Sequence, residues 1–154
     1  MKREYPSRPI VGVSAVIFDG DKVLLVKRGK EPGINKWNLP GGAVELGERL
    51  EDAIKREMRE EVSIDLVIGG LVGVFDTILR DDKNAVMYHY VLVDYWGWIS
   101  KGRPAAGSDV KDLKWVYPHE VETLGIGDQV KKTIEKAAGV RKDFLNKELT
   151  SVQR

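Results

Sequence analysis

The chain has 154 residues, a length that suits one compact domain with a sizeable buried core. Its 25 lysine and arginine residues nearly balance its 24 acidic residues, giving a formal net charge of +1. This balance predicts no specific nucleic acid and no membrane as partner. The sequence contains no cysteine, which excludes disulfides and thiol chemistry and agrees with a cytoplasmic location. It also has no secretory signal and no apolar segment long enough to span a bilayer.

The first part of the chain is predicted to form two strands and a helix. Residues 10–18 and 22–28 are rich in β-branched and apolar residues, and Asp19, Gly20 and Asp21 form a turn signal between them. This pattern is typical of a β-hairpin. Residues 29–41 are rich in glycine and proline and are predicted to be a loop. Residues 50–62 then show apolar spacing typical of an amphipathic helix.

The second part alternates between strand patterns and turns. Strands are predicted at 65–76, 85–99 and 113–117, with a bulge or kink at Gly69 and Gly70, a turn at 81–84 and a loop at 102–109. Pro118 is predicted to open a helix, and residues 128–138 have helical composition. The segment after Gly139 is predicted either to add a turn or two or to fray. A mixed sheet between helices, in one domain over residues 1–154 with a core at about 10–138, is expected.

The predicted helix at 50–62 carries acidic residues on its apolar face. The apolar positions at helical spacing are Leu50, Ala53, Ile54 and Met58. At 3.6 residues per turn, Glu57 and Glu61 fall in the middle of this face and Glu60 falls at its edge. A solvated acidic surface would instead place these carboxylates opposite the apolar positions.

Burying several carboxylates together is costly unless they are paired with cations or bind a metal ion. Arg56 is the one nearby cation in the helix pattern that can offset such a charge. An all-oxygen, carboxylate-rich site without cysteine favours a hard divalent ion such as Mg²⁺ or Mn²⁺.

Residues 42–64 resemble the signature of the Nudix hydrolases, a glycine followed at fixed spacings by glutamates and an Arg-Glu pair. The positions that match are Gly42, Glu48, Arg56, Glu57, Met58, Glu60, Glu61 and Ile64. The resemblance implies an α/β fold, the Nudix-type α/β/α sandwich with a mixed β-sheet. Ser63 stands where the family usually has glycine, which ends the helix in a conformation that glycine adopts at low cost. This departure concerns the turn and removes no expected metal ligand.

The resemblance also implies roles for the signature residues. The expected metal ligands are Glu57, Glu60, Glu61 and the backbone carbonyl of Gly41. Arg56 is expected to belong to the catalytic set with the three glutamates and to hold one of them in place. From its position it could reach back toward Glu48 or sideways toward Glu60. Glu48 would complete the metal shell through water or interact with the positive end of the helix dipole.

Other catalytic and substrate-binding residues are expected outside the signature. The general base is either a signature glutamate or an acid on a later loop, for which Asp109 and Glu120 are candidates. Arg28, at the end of a strand, and Arg103, in the loop before Asp109, are candidates for binding phosphate. Trp37 would contact the substrate or pack its loop against the sheet.

The resemblance implies metal-dependent hydrolysis of a nucleoside diphosphate linked to another moiety. The overall layout is similar to prokaryotic ADP-ribose pyrophosphatases, so ADP-ribose cleaved to AMP and ribose 5-phosphate is the favoured reaction. Arg80 stands where many such enzymes have proline, which counts against this substrate. The alternatives are a MutT-type nucleoside triphosphate pyrophosphohydrolase, another nucleotide derivative, and a non-catalytic domain that senses a nucleotide. A homodimer that uses the apolar area of Trp96, Gly97 and Trp98 is a further hypothesis.

Overall fold

A computed structural model of the protein describes residues 2–152, so Met1 and residues 153–154 of the predicted 1–154 domain lie outside the described residues. Its centre is a mixed seven-stranded sheet. The strands are β1 (Ile10–Asp19), β2 (Lys22–Arg28), β3 (Trp37–Asn38), β4 (Gly41–Ala43), β5 (Asp65–Arg80), β6 (Val86–Lys101) and β7 (Val110–Val116). Helix α1 (Leu50–Val62) and helix α2 (Asp128–Val152) pack on opposite faces, and a 3-10 helix spans Pro118–Leu124. The predicted α/β/α sandwich with a mixed sheet is therefore confirmed.

Strand β1 lies at the centre of the sheet and is buried on both faces. Val13, Ala15 and Ile17 belong to the core under α1, whereas Val16 and Phe18 belong to the core under α2. Burial on both faces explains why this strand is continuously apolar. Along one edge β1 runs parallel to β6; along the other it pairs with β4 in its first half and with β2 at its end.

The segment predicted as a continuous loop at 29–41 contains regular structure. The short strand β3 pairs with the end of β2, and β4 begins at Gly41 and pairs with Gly12, Val13 and Ser14 of β1. Glycine and proline signals missed these strands because they are only two and three residues long. The pairing places the residues just before α1 against the central strand.

Strands β5 and β6 form a long antiparallel pair. The predicted irregularity at Gly69 and Gly70 is confirmed, because the register shifts there. A side chain at Gly69 would overlap the ring of Trp96, which packs against these glycines. The predicted turn at 81–84 is also present, and the side chain of Asp81 accepts hydrogen bonds from the backbone N–H groups of Lys83 and Ala85.

Helix α2 is longer than predicted, since it continues through Gly139 as one helix of 25 residues. Phe144 explains the continuation, because its ring packs against Trp96 and Trp98 at 5.1 and 6.0 Å between centroids. The apolar core therefore extends beyond residue 138. Within the segment named in the dimer hypothesis, Trp96 is buried under this helix, whereas Trp98 is 37% exposed; the hypothesis stays a prediction.

Helix α1 begins and ends at the predicted residues, Leu50 and Val62. Its buried residues are Ala53, Ile54, Met58 and Val62. The assignment of Leu50 to the buried face is wrong, because this side chain is 37% exposed. Leu50 is the first residue of the helix, and burial begins one turn later. In residues 2–152, no helix is both long and apolar enough to cross a membrane.

Candidate active site

Arg56 is the centre of a group of ion pairs on the exposed edge of α1. Its Nε and Nη2 donate to the two carboxylate oxygens of Glu48 at 2.8 and 2.9 Å. Its Nη1 donates to Glu57 at 2.8 Å and to Glu60 at 3.1 Å. Its Nη2 also donates to the backbone carbonyl of Ala43 at 3.0 Å, which ties the helix to β4. One guanidinium thus orders three carboxylates of the signature.

These contacts answer the question that the sequence left open about Arg56. It reaches both back to Glu48 and sideways to Glu60, and it also holds Glu57, a contact that the sequence reasoning missed. The bidentate pair lowers the pKa of the Glu48 carboxyl to about 2, and the same contacts raise the pKa of Arg56. Glu48 is therefore ionised and bound to Arg56 at neutral pH.

Glu57 lies in a space that only glycine leaves open. A side chain at Gly42 would overlap the Glu57 carboxylate, and the Glu57 side chain is only 12% exposed. Gly42 is therefore required here because of close approach. The carboxylate is enclosed between β4 and Arg56, as expected for a group with a fixed role.

Glu61 is the most isolated carboxylate of the site. Across residues 2–152, the backbone N–H of Gly41 is the only group that donates a hydrogen bond to it, at 2.9 Å. Burial raises the pKa of Glu61 to about 7, helped by the charges of Glu57 and Asp109 and opposed by the Gly41 N–H and the charge of Arg28. Glu61 is thus a half-buried carboxylate without a bound cation, which is costly unless another positive charge is supplied.

The acidic residues fit a hard divalent cation by their chemistry, although they do not form a complete site as they stand. Within residues 2–152, no three acidic, histidine or cysteine side chains converge closely enough to hold a metal ion. Two of the expected ligands, Glu57 and Glu60, are bound to Arg56. Glu61, which lacks a cation, and Glu57, which lies in the space left by Gly42, are the carboxylates best prepared for such an ion.

The loop at 102–109 closes the C-terminal end of α1. The backbone N–H of Gly107 donates to the carbonyl of Glu61 at 2.7 Å, and that of Ala105 donates to the carbonyl of Val62 at 3.0 Å. These bonds satisfy two of the carbonyl groups that a helix end leaves unpaired. They also fix the start of the segment that leads to Asp109.

Asp109 lies beside the site and is paired with a lysine that the sequence reasoning missed. Its carboxylate accepts a hydrogen bond from Lys30 at 2.9 Å, and both side chains are about half exposed. Its backbone carbonyl accepts one from the N–H of Gly29 at 2.9 Å. Lys30 could have been noticed because it follows Arg28, the last residue of β2, by two residues.

The remaining predicted residues lie in different surroundings. Arg28 is close enough to affect the pKa of Glu61, and its Nε donates to the carbonyl of Pro32 at 2.6 Å. Trp37 packs against the core under α2, on the other face of the sheet. Arg103 is exposed, and Glu120 lies half-buried in the 3-10 helix. In the described part of the chain, no hydrogen bond joins Arg103 or Glu120 to the acids of α1.

Comparisons with known proteins agree with this fold. The family model of the NUDIX domain matches residues 8–137. A Methanocaldococcus jannaschii protein named ADP-ribose pyrophosphatase is 35% identical over 107 residues, which are 70% of this chain and 61% of that protein. The chain thus spans about three fifths of the length of this curated relative.

Two solved structures have the same fold. The MutT NUDIX hydrolase from Burkholderia pseudomallei has a TM-score of 0.74 and 30% identity, with coverage of 84% of this chain and 98% of that one. The NUDIX domain of Shewanella oneidensis NrtR complexed with ADP ribose has a TM-score of 0.69 and 25% identity, with coverage of 86% and 88%. Since the family model covers most of the chain and the signature glutamates surround Arg56, this protein belongs to the Nudix family.

Proposed function

We propose that this protein is a hydrolase that cleaves the diphosphate of a nucleoside diphosphate linked to another group, with the help of divalent metal ions. The observation that carries the proposal is the state of Glu61, a half-buried carboxylate with no cation bound to it, close to the ordered Glu57. Arg56 balances the charge of Glu57, but no bound cation balances that of Glu61. A bound metal ion would supply this positive charge, and the ion would in turn bind a substrate phosphate.

Mg²⁺ or Mn²⁺ is the proposed cofactor, because the donors are all oxygens. Glu57, Glu60 and Glu61 would hold it, with the backbone carbonyl of Gly41. Glu60 is the most exposed of the three, so it can leave Arg56 at least cost. When bound, the ion would neutralise the diphosphate and lower the pKa of a bound water.

The residues of the chain would then bind and orient the substrate. Arg28 and Lys30 lie at the end of β2 near Glu61 and Asp109, where their charges can attract phosphate. Phosphate binding by Arg103 and substrate contact by Trp37 stay predictions. Arg56 would keep Glu57 fixed while the phosphate is bound.

Asp109 is the better candidate for the general base among the two loop acids. Its charge acts on Glu61, and the loop that carries it is hydrogen-bonded to the end of α1. In this role, Asp109 would accept the proton of the attacking water after its contact with Lys30 loosens. A signature glutamate stays the alternative base, and Glu120 lacks a comparable link to the site.

We propose ADP-ribose as the substrate, with AMP and ribose 5-phosphate as products. The name of the M. jannaschii relative and the ADP ribose bound to the NrtR domain support this choice. The similarity to a MutT hydrolase favours nucleoside triphosphate pyrophosphohydrolysis as the second candidate. A nucleotide sensor without catalysis is the third.

One panel of reactions separates these candidates. Purified protein with Mg²⁺ would be offered ADP-ribose, diadenosine polyphosphates, nucleotide sugars and oxidised nucleoside triphosphates, and products would be separated by chromatography. Fastest release of AMP and ribose 5-phosphate supports the proposal. Preference for a triphosphate with release of pyrophosphate would replace it by the MutT-type activity. Binding without turnover in both Mg²⁺ and Mn²⁺ would indicate a sensor.

Self-association, also expected from the sequence, stays a prediction, and of residues 96–98 only Trp98 is an exposed apolar side chain. We propose as its surface the edge strand β5, whose exposed apolar residues are Leu71, Val74, Ile78 and Leu79. Between its two ends this strand carries only one charge, at Asp76, so its edge is poorly protected against pairing. A monomer at micromolar concentration in sedimentation velocity would contradict this proposal.

The predicted cytoplasmic location rests on composition alone.

A further inference from the structure

Asp94 is a buried acid on the face of the sheet away from the candidate active site. It lies in the middle of β6 and is only 2% exposed. The hydroxyl of Ser14 donates a hydrogen bond to it, and the hydroxyl of Thr133 from α2, which donates to the carbonyl of Gln129, lies close enough to affect its pKa. In residues 2–152, no lysine or arginine forms an ion pair with it. Burial accordingly raises the pKa of the Asp94 carboxyl to about 6.

A purely structural role explains this acid poorly. A carboxylate that accepts a hydrogen bond from one hydroxyl and has no cation is costly to bury. An apolar side chain of similar size would pack at lower cost. The surrounding residues on this face, including Val16, Val72 and Trp96, are apolar. Asp94 therefore suggests a function that needs a hydrogen-bond acceptor at this point of the sheet.

Asp94 begins a row of three residues that leads across the sheet to Glu61. Asp94 of β6 is paired with Ser14 of β1, and Ser14 is paired on its other side with Gly41 of β4. The N–H of Gly41 in turn donates to the Glu61 carboxylate at 2.9 Å. The row thus connects an acid buried under α2 with the isolated carboxylate of α1.

The contact between Ser14 and Gly41 is tight. A side chain at Gly41 would overlap the carbonyl of Val13, and its Cβ would lie 2.9 Å from the Cβ of Ser14. β1 and β4 thus approach closely here, and because Ser14 and Gly41 are paired in adjacent strands, a shift of the Ser14 backbone is passed on to the backbone of Gly41. The hydrogen bond to Asp94 keeps the Ser14 hydroxyl turned away from β4.

We propose that Asp94 is a positioning residue for the active site. By holding Ser14, it fixes β1 against β4 and keeps the Gly41 N–H directed at Glu61. Without the hydrogen bond between Ser14 and Asp94, β1 is no longer held in place against β4, and the Gly41 N–H loses its fixed direction toward Glu61. The inference rests on the proposed function only in that Glu61 is taken as a metal ligand.

The first test measures the effect of Asp94 and Ser14 on the Gly41 N–H in protein without metal or substrate. Amide hydrogen exchange and the chemical shift of the Gly41 N–H would be followed by NMR in the full chain. The variants are Asp94→Leu and Ser14→Ala, which break the row, and Asp94→Asn, which keeps an acceptor. Thr133→Val is the matched control, since it removes the other hydroxyl near Asp94 but has no strand link to Gly41.

The expected result is specific to Gly41. Its exchange should speed up by about tenfold in Asp94→Leu and in Ser14→Ala. It should stay within about twofold of the unchanged protein in Asp94→Asn and in Thr133→Val. Unchanged exchange in both row-breaking variants overturns the proposal, and so does equal loss in Thr133→Val, which would indicate general loosening of the core. If Asp94→Leu does not fold, Ser14→Ala decides.

The second test measures the consequence at the metal site. Mn²⁺ affinity by electron paramagnetic resonance should fall by about threefold to tenfold in Ser14→Ala and Asp94→Leu, as for residues that orient metal ligands. Asp94→Asn should keep the Mn²⁺ affinity of the unchanged protein. Loss of thermal stability with unchanged Mn²⁺ affinity would show a structural role instead. Failure of the proposed function would be recognised separately, because Glu61→Gln would then leave the Mn²⁺ affinity unchanged. The exchange rate of the Gly41 N–H would still test the link from Asp94 through Ser14 to Gly41.

Discussion

On the α1 face of the sheet, one guanidinium orders three carboxylates, whereas on the α2 face Asp94 is buried against two hydroxyls. The α1 group is partly open to solvent, and its charges are balanced only in part. The α2 acid is closed off by the helix and by apolar side chains. Acids on the first face can exchange partners with ions and substrate, while Asp94 can act only through the strands beside it.

The same contrast appears between two carboxylates one turn apart in α1. Glu57 is bound to Arg56, whereas Glu61 has the N–H of Gly41 and a pKa raised to about 7. The difference predicts that Glu57 is held in place before any ion arrives. Glu61, in contrast, gains most from the arrival of a cation.

The largest effect is expected from removing the two metal-binding charges. Glu57→Gln and Glu61→Gln should each lower turnover by at least about 100-fold, because each removes a charged oxygen ligand. Folding should stay intact, since both changes relieve repulsion in a crowded site. Initial rates with Mg²⁺ and circular dichroism measure the two effects.

Glu51→Gln is the control for these variants, because Glu51 is exposed in the first turn of the same helix. It should keep full activity. If Glu57→Gln and Glu61→Gln were also fully active, the metal assignment on the α1 face would be wrong.

Arg56→Lys tests whether the three carboxylates depend on one planar group. Lysine keeps the charge but cannot bind Glu48 with two parallel bonds while also reaching Glu57 and Ala43. Activity should fall by about 10- to 100-fold, and the free energy of unfolding in urea should fall by about 2 kcal/mol. Arg59→Lys is the control, because Arg59 is exposed and binds only Asp65; equal losses in both would contradict a special role of Arg56.

Glu61 should make the metal-free protein less stable as pH rises. Its pKa is raised from 4.5 to about 7 on folding. The cost of holding the charged Glu61 carboxylate in the folded protein is therefore absent below pH 4.5, grows as pH rises toward 7 and is complete above pH 7. In EDTA, Glu61→Gln should therefore be more stable than the unchanged protein at pH 8, by up to about 3 kcal/mol. The advantage should disappear near pH 4.5 in urea unfolding.

In the same urea experiment, Mg²⁺ should change the effect of a substitution at Glu61, on the α1 face, but not the effect of one at Asp94, on the α2 face. It stabilises only a protein that binds it, so it should remove the advantage of Glu61→Gln at pH 8. Asp94→Asn should also stabilise the protein, by a gain that grows between pH 3.8 and about 6 and stays complete above it. Mg²⁺ should leave this gain unchanged. An advantage of Glu61→Gln that persists in Mg²⁺ would argue against a metal at Glu61.

The smallest effect is expected at the end of α1. Ser63 adopts the left-handed conformation, with φ of 60° and ψ of 36°, so the turn keeps the shape that the family glycine gives. Ser63→Gly should raise the free energy of unfolding by about 0.5 to 1 kcal/mol. Asn84→Gly, at φ of 65°, is the control and should gain less, because asparagine tolerates this conformation well. A loss of stability in Ser63→Gly would mean that the serine side chain contributes to the turn.

The site could be predicted from the sequence where it depends on one local element. The periodicity of residues 50–62 placed Glu57 and Glu61 on the buried face of a helix, and the structure has this helix with the predicted bounds. Leu50 was assigned wrongly, because periodicity gives a direction around the helix axis but not where along the helix the sheet begins to cover it. Asp94 was overlooked, although a single acid inside the apolar strand at 85–99 was a visible signal.

The sequence by itself determined the family signature, the helix that carries it, the β1–β2 hairpin and the acidic character of the site. All of these follow from local spacing along one element. Only the tertiary structure decided that Arg56 binds Glu48, Glu57 and Glu60 together and that the Gly41 N–H meets Glu61. It alone also placed Asp94 and Ser14 in one row with Gly41. The reason is physical, because which strands become neighbours depends on packing across the whole sheet, and no local pattern specifies it.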